Sequence, residues 1–399
     1  MQEGSTEATM GFSFSDEQEM IRHGARRFLA EFCSAHVVRS AMADPSGYSP
    51  EVWRKMSSLG WMGINLPEQY GGAQGSFLET VALLEEMGRA CVPGPYLSST
   101  VVAGGCIAEA ASGELQQAIL PGLAAGEIIL CLGLEEGSPV SAPTFVHTTA
   151  TPRGDDFSIS GRKMFVPFAH LADHLLIACR TARAGSGPAE APDGLTLFLL
   201  EAGSPGLQVR TLSTGCTDTL CEVVLDGVPA RPGEVVGFPG RAWPVLQNVL
   251  ARGAIAKCAE MTGGAQRILD MITAYAHERE QFGRPIGSFQ AIQHHCANML
   301  VDLEGCRRIT LDAAARVSEG RPYQAAASHA KAWCNEAYRR IVALGHQILG
   351  GIGYCTEHDM PLYFRHARGA EVMFGDTEHH LEAVADRLFT AEPGREPRS

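Results

Sequence analysis

Between about Glu127 and Gly237 the chain is written in short β-rich runs, EIILCLGL, FSISGRKMFVP, HLLIAC, LTLFLLEA and CEVVLDGV, separated by Gly, Pro and Asp turn residues. On both sides of this stretch the apolar residues fall at helical spacing instead. Strand and helix patterns have different periods, so neither stretch can take the other's structure without scattering its apolar face. The order is helices, strands, helices, with no internal repeat. It predicts a mostly α protein with a central β domain, a barrel or sandwich, and a C-terminal helical bundle. The expected divisions are 1–125, 126–238 and 239–399, and 399 residues suffice for two or three domains.

The helical spacing is explicit in SDEQEMIRHGARRFLAEF, where Ile21, Phe28, Leu29 and Phe32 share one face. Asp16, Glu17 and Glu19 lie in its first turn, where the helix dipole favours acids. Past RPGEVVGFPG, Ile268, Leu269, Ile272, Tyr275 and Ala276 mark one helix, and Ile292, Cys296, Met299, Leu300 and Leu303 the next. Trp333, Ala337, Ile341, Leu344 and Ile348 mark a further one. Residues 180–194, RTARAGSGPAEAPDG, read as a surface loop, and AEPGREPRS as a frayed tail.

A formal net charge of −13 argues against nucleic acid and anionic membrane partners, which attract basic patches. No run approaches the ~20 apolar residues of a membrane span, and the N-terminus shows neither the basic nor the apolar region of a signal peptide. The 12 cysteines include no C-x-x-C and suit buried thiols in a reducing compartment. A cytoplasmic location is expected, without a metal site.

Two segments carry most of the functional signal. In HEREQFGRPIGSFQAIQH, residues 277–294, a helix is expected to end at Gly283, with a Pro-containing turn into the next helix. In GHQILGGIGYCTEHDMPLYFRHA, residues 345–367, Gly350, Gly351 and Gly353 close a long helix. Singly, the glycines read as C-caps and Arg279, between Glu278 and Glu280, as a solvated charge.

Together the two segments resemble the acyl-CoA dehydrogenase family of flavoproteins, over nearly the whole chain. Glu278, Arg279, Phe282, Gly283, Phe289 and Gln290 match the family's E-R-x-x-F-G and F-Q, and Gln347, Gly350, Gly351 and Gly353 match its Q-x-x-G-G-x-G. The resemblance implies that fold, with a C-terminal four-helix bundle, an acyl-CoA substrate, and an electron-transfer flavoprotein or similar acceptor. It also implies FAD lying across a subunit interface, its pyrophosphate and adenine held by these motifs from the neighbouring subunit. The implied cofactor-binding residues are Arg279, Gln281, Phe282, Gln290, Gln347, Gly350 and Gly351. An arginine fork suits a diphosphate, and a Gln side chain beside backbone left open at Gly suits an adenine edge.

The chemical half of the family's site departs from its pattern. The family's base is a Glu in Y-E-G-T, and the two possible registers here place Phe374 or Gly375 at that position. Some members carry the base on an earlier helix, where this chain has Gly253. Where the family has T-E-P-x-x-G-S-D the chain reads LEEGSPVSAP, with Leu134 in place of a hydroxyl. Where it has K-M-W-I-T-N the chain reads KMFVPF, so Phe165 replaces the Trp and Pro167 the Thr, removing hydrogen bonds to the flavin ring.

No catalytic base is therefore assigned. Asp376 is the fallback candidate, with its own structural reading as the N-cap of TEHHLEAVADRLF. His379–His380 and His294–His295 are adjacent pairs, and neighbours on a helix point about 100° apart, so neither pair forms a metal site by itself. The leading expectation is the non-catalytic partner in an α2β2 assembly of two homologous chains, like those described for bacterial enzymes acting on steroid side chains. The alternatives are a self-sufficient homomeric dehydrogenase using Asp376, and a scaffold on the same fold without FAD.

Overall fold

A computed structural model describes residues 14–137, 145–181 and 194–390. The loop read at 180–194 lies almost wholly outside the described residues. So do the tail from Ala391, the first thirteen residues and all of SPVSAP.

The chain begins with helices α1 (Asp16–Phe32), α2 (Ala35–Ala43), α3 (Pro50–Ser58), α4 (Phe77–Ala90), α5 (Gly104–Ala110) and α6 (Gly113–Ala124). Serines start most of them. Ser15 caps α1 in a reciprocal box, accepting from the Gln18 N–H at 3.3 Å while its own N–H donates to Gln18 Oε1 at 3.0 Å. Ser34, Ser49, Ser76 and Ser112 accept from the first turns of α2, α3, α4 and α6.

The strands are β1 (Leu130–Gly133), β2 (Thr149–Arg153), β3 (Asp156–Pro167), β4 (His174–Thr181), β5 (Leu195–Glu201), β6 (Leu207–Thr211), β7 (Leu220–Ala230) and β8 (Val235–Val236). They form one sheet in the order β6-β7-β3-β2-β4-β5-β8, with β1 also pairing β4. The pairing is antiparallel except along one edge of β4, where β1 and β2 run parallel to it. β4 and β5 are buried on both faces. Leu176, Ala178, Leu195, Leu197 and Leu199 join the core shared with the helices, while Leu175, Ile177, Cys179, Phe198 and Leu200 fill the sheet's own core. Double burial explains why LTLFLL is continuously apolar rather than alternating.

After β8 come α7 (Trp243–Glu278), a short hairpin of β9 (Glu280–Gln281) and β10 (Arg284–Pro285), then α8 (Gln290–Ser318), α9 (Gln324–Leu349), α10 (Met360–Val372) and α11 (Thr377–Thr390). The helix expected to run to Gly283 stops at Glu278, because Phe282 and Gly283 take φ of 55° and 79° and close a two-residue hairpin. The helices before and after the sheet share one core, in which Leu83, Leu84 and Met87 of α4 join Ile255, Cys258 and Met261 of α7. Glycines let α4 and α7 touch backbone to backbone: a Cβ on Gly88 would stand 2.0 Å from the Glu260 carbonyl oxygen, and one on Gly263 1.7 Å from that of Glu85.

Candidate functional site

Four of the expected cofactor residues sit around the β9–β10 hairpin. The Arg279 N–H donates to the Tyr275 carbonyl at 2.8 Å, ending α7, and its carbonyl accepts from Ile286 N at 2.8 Å. Phe282, at the tip, is 92% exposed and meets Phe289 edge-on with ring centroids 6.0 Å apart. Arg284 covers the same Phe289 ring at 4.2 Å. Gln281 and Gln290 are exposed beside them. A ligand or partner seated on the hairpin would cover this ring.

Gln347, Gly350 and Gly351 form a second cluster at the end of α9. Gly350 needs its glycine for a φ of 63°, whereas a Cβ on Gly351 would meet nothing within 4 Å. Beside them lies a cavity of about 410 Å³, lined by Gln347, Gly350, His346, Tyr354, Arg339 and Arg368 among others. His346 is 9% exposed, and both of its ring nitrogens lack a partner among the described residues. Its ring stacks on Tyr354 with centroids 4.5 Å apart. Burial, with His358 nearby, holds its pKa below the usual value, so it offers one donor and one acceptor as a neutral imidazole. Stacked rings and an unpaired imidazole suit an adenine, while Arg339 and Arg368 pair with Glu336 and Glu371 and would have to turn from them to meet a diphosphate. His346 is not marked out by the sequence, because a lone histidine in an apolar helix usually has a partner in the core.

The positions the resemblance assigns to the base, Gly253 on α7 and Phe374 or Gly375 after α10, lie together. Phe374 has φ of 60°, and its ring atoms lie 2.8–3.0 Å from where a Cβ on Gly253 would stand. One phenyl ring thus covers the glycine of the earlier helix, and neither group can accept a proton. Lys331, fully buried on α9, fixes this turn. Its Nζ shares three N–H donors among four acceptors, the carbonyls of Ala370 at 2.9 Å, Glu371 at 3.2 Å and Gly375 at 3.1 Å, and Asn335 Oδ1 at 2.7 Å. It thereby caps the carbonyl end of α10 with a cation. His380 Nε2 lies 2.9 Å from the Phe374 carbonyl, and burial, then Lys331, pushes its pKa down to about 4.

Asp376 is engaged as a cap: its Oδ1 accepts from the His379 N–H at 2.9 Å. Asn caps about as well as Asp, so Asp376→Asn is expected to leave the urea midpoint unchanged, whereas Asp376→Ala should lose about 1 kcal/mol.

The ring side offers little to a flavin. Pro167 has no N–H, and its carbonyl accepts from Cys131 Sγ at 3.0 Å. The Leu134 carbonyl accepts from Lys163 Nζ at 3.1 Å, and Lys163 pairs with Glu136 at 2.5 Å in the interior. Phe165 occupies a bulge with φ of 56°, half exposed. Of the six non-glycine residues with positive φ among the described residues, four are Phe165, Phe168, Phe282 and Phe374. Bulky residues in that region mark strained sites, and three of these four stand at positions singled out by the motifs. Among the described residues no group of three or more His, Cys, Asp or Glu could hold a metal ion.

Three family profiles cover most of the chain. Residues 15–127 match "Acyl-CoA dehydrogenase, N-terminal domain", 131–228 the middle domain, and 240–389 the C-terminal domain. The chain is 31% identical over 350 residues to "Acyl-CoA dehydrogenase FadE27" of Mycobacterium tuberculosis, covering 86% of this chain and 88% of that protein. Among solved structures, the ChsE4-ChsE5 complex from Mycobacterium tuberculosis is 28% identical with a TM-score of 0.87, covering 96% of this chain and 100% of the other. A variant of the Tcur3481-Tcur3483 steroid ACAD is 31% identical with a TM-score of 0.83, covering 94% and 98%.

Proposed function

This chain belongs to the acyl-CoA dehydrogenase family, and we propose that it is the subunit of an α2β2 enzyme that supplies the ADP side of an FAD site and lacks the catalytic base. The carrying observation is the Phe374 ring lying on Gly253, which fills both positions where the family holds a carboxylate. The reaction of the family removes an α-proton from an acyl thioester while a hydride leaves the β-carbon, and FAD, when bound, supplies the hydride acceptor. A phenyl ring and a glycine hydrogen accept no proton, so proton abstraction falls to a homologous partner chain. This chain's task is holding: Arg279, Gln281, Phe282 and Gln290 from the hairpin, and Gln347, Gly350, Gly351 and His346 from the end of α9, bind the ADP half. The division at 125/126 and 238/239 belongs to the same reading.

Two relatives support a heteromer and a steroid-like acyl group, one being a two-component complex and the other a steroid enzyme by name. An electron-transfer flavoprotein or similar carrier is the expected acceptor. All 12 cysteines are free, which suits a reducing cytoplasm. Among the described residues no helix is long and apolar enough to cross a membrane. Asp376 as a base is disfavoured by its capping bond.

The test is expression of the chain alone and with its homologous partner, measuring bound flavin by absorbance and turnover of acyl-CoA. Arg279→Ala and Gln347→Ala are expected to weaken FAD retention in the complex roughly ten- to a hundredfold without unfolding it, the usual worth of a charge-assisted contact. Unchanged flavin content in both variants would discard the cofactor site. Turnover by the single chain, abolished by Asp376→Asn, would make the self-sufficient reading correct.

A further inference from the structure

One turn beyond Gly253 on α7, Lys257 is buried in a cluster of charges drawn from three parts of the fold. Its Nζ lies 2.6 Å from Glu260 Oε2 and 3.5 Å from Asp218 Oδ2, a residue of the segment entering β7. Glu260 Oε2 in turn lies 3.8 Å from His366 Nε2 on α10, and His366 Nδ1 lies 3.1 Å from the Tyr338 hydroxyl on α9. The acids hold the Lys257 ammonium in its charged form despite burial, and Lys257 and His366 keep the Glu260 carboxyl below the usual carboxylate range. The cavity left beside these groups measures about 20 Å³ and is lined by Leu97, Pro167, Asp218, Lys257, His366 and Met373 among others.

The cavity adjoins the path an acyl chain would take. An acyl chain undergoing the family's reaction must present its α-carbon to the base position and its β-carbon to the flavin ring. It must therefore run between Gly253 and Phe374 on one side and Pro167 on the other. Met373 adjoins Phe374, Lys257 follows Gly253 along the same helix, and Pro167 lines the cavity itself, so the charged cluster stands beside that path. A space of this size holds a single water, far below the several hundred Å³ of a ligand pocket. One wall, of Asp218, Lys257, Glu260 and His366, is ionic where a hydrocarbon needs apolar contact, and opening the cavity on that side would separate a buried ion pair, which is strongly unfavourable.

We infer that the Lys257–Glu260–Asp218–His366 cluster seals the acyl channel of this chain, so that the subunit excludes acyl thioesters from its own half of the assembly. The seal rests on the site correspondence of the proposed function but is separable from it, since a chain without a base could still bind substrate. Lys257 is a specificity determinant by exclusion, and it also ties α7 to the sheet through Asp218.

The test is amide hydrogen exchange on the assembled complex with and without saturating butanoyl-, octanoyl- and choloyl-CoA. No thioester is expected to protect this chain's peptides spanning 253–262 or 366–376, whether or not one protects the partner chain. Protection in either window overturns the seal while leaving the ADP-side reading to stand or fall on the flavin content of the Arg279 and Gln347 variants. In a second arm, Lys257→Met is expected to speed exchange in the peptide spanning 214–222, which loses its tie to α7. Unchanged exchange there, in a complex that still assembles, would show that the cluster does not hold the channel shut.

Discussion

Replacing Lys331 by methionine is expected to remove about 3 kcal/mol of stability, read as a lowered urea midpoint with flavin-independent fluorescence or circular dichroism. Methionine keeps the length of the side chain but none of its donors. The Ala370 and Gly375 carbonyls and the Asn335 amide oxygen then lose this partner in the interior, while the Glu371 carbonyl keeps the Asn335 Nδ2–H at 3.2 Å. Each buried acceptor left unpaired costs about 1–3 kcal/mol, and the gain from no longer burying an ammonium offsets part of that. The turn carrying Phe374 and Gly375 should loosen with it, so faster exchange of the amides around 373–376 accompanies the loss. A midpoint equal to wild type would show that Lys331 is not what holds this turn.

The second large effect is expected at the crossing of α4 and α7. In Gly263→Ala the new methyl would stand 1.7 Å from the Glu85 carbonyl oxygen and 2.7 Å from the Arg89 nitrogen, both backbone atoms that no rotamer change can move. The helices must part along a core that includes Leu83, Leu84 and Met261. They must also strain the Glu85–Arg307 pair at 3.2 Å, whose carboxyl is buried. A loss of about 3 kcal/mol or more follows, at the upper end for overpacking. Gly24→Ala is the control: it lies within α1 with nothing within 4 Å of its added methyl, and should gain about 0.5–1 kcal/mol from helix propensity. Equal midpoints for the two variants would refute the close approach.

Much of the candidate site is legible in the sequence because its motifs are local. Arg279 to Gln290 fall within one hairpin and the start of one helix, and Gln347 to Gly351 within one helix end, so short stretches of chain can be matched directly. The hairpin itself reads as a helix running to Gly283, since the helical pattern continues to Ala276 and only the positive φ of Phe282 reveals the turn. His346 and Lys257 carry no signal at all. Histidine and lysine are ordinary residues of helices, and what sets these two apart is burial, an unpaired ring in one case and an ion cluster in the other.

The sequence by itself determined the kinds of element and their order, because helix and strand periods, first-turn acids and turn residues act over a few residues and need no distant partner. Through the resemblance it also showed that neither register places a carboxylate at the position Phe374 or Gly375 takes. Only the tertiary structure decided that Phe374 lies on Gly253, that α4 and α7 bury one core between the first and last parts of the chain, and that Lys331 and Lys257 are interior cations. Those facts depend on contacts between residues remote in the chain, where side-chain volume, unpaired acceptors and buried charge are satisfied together or not at all.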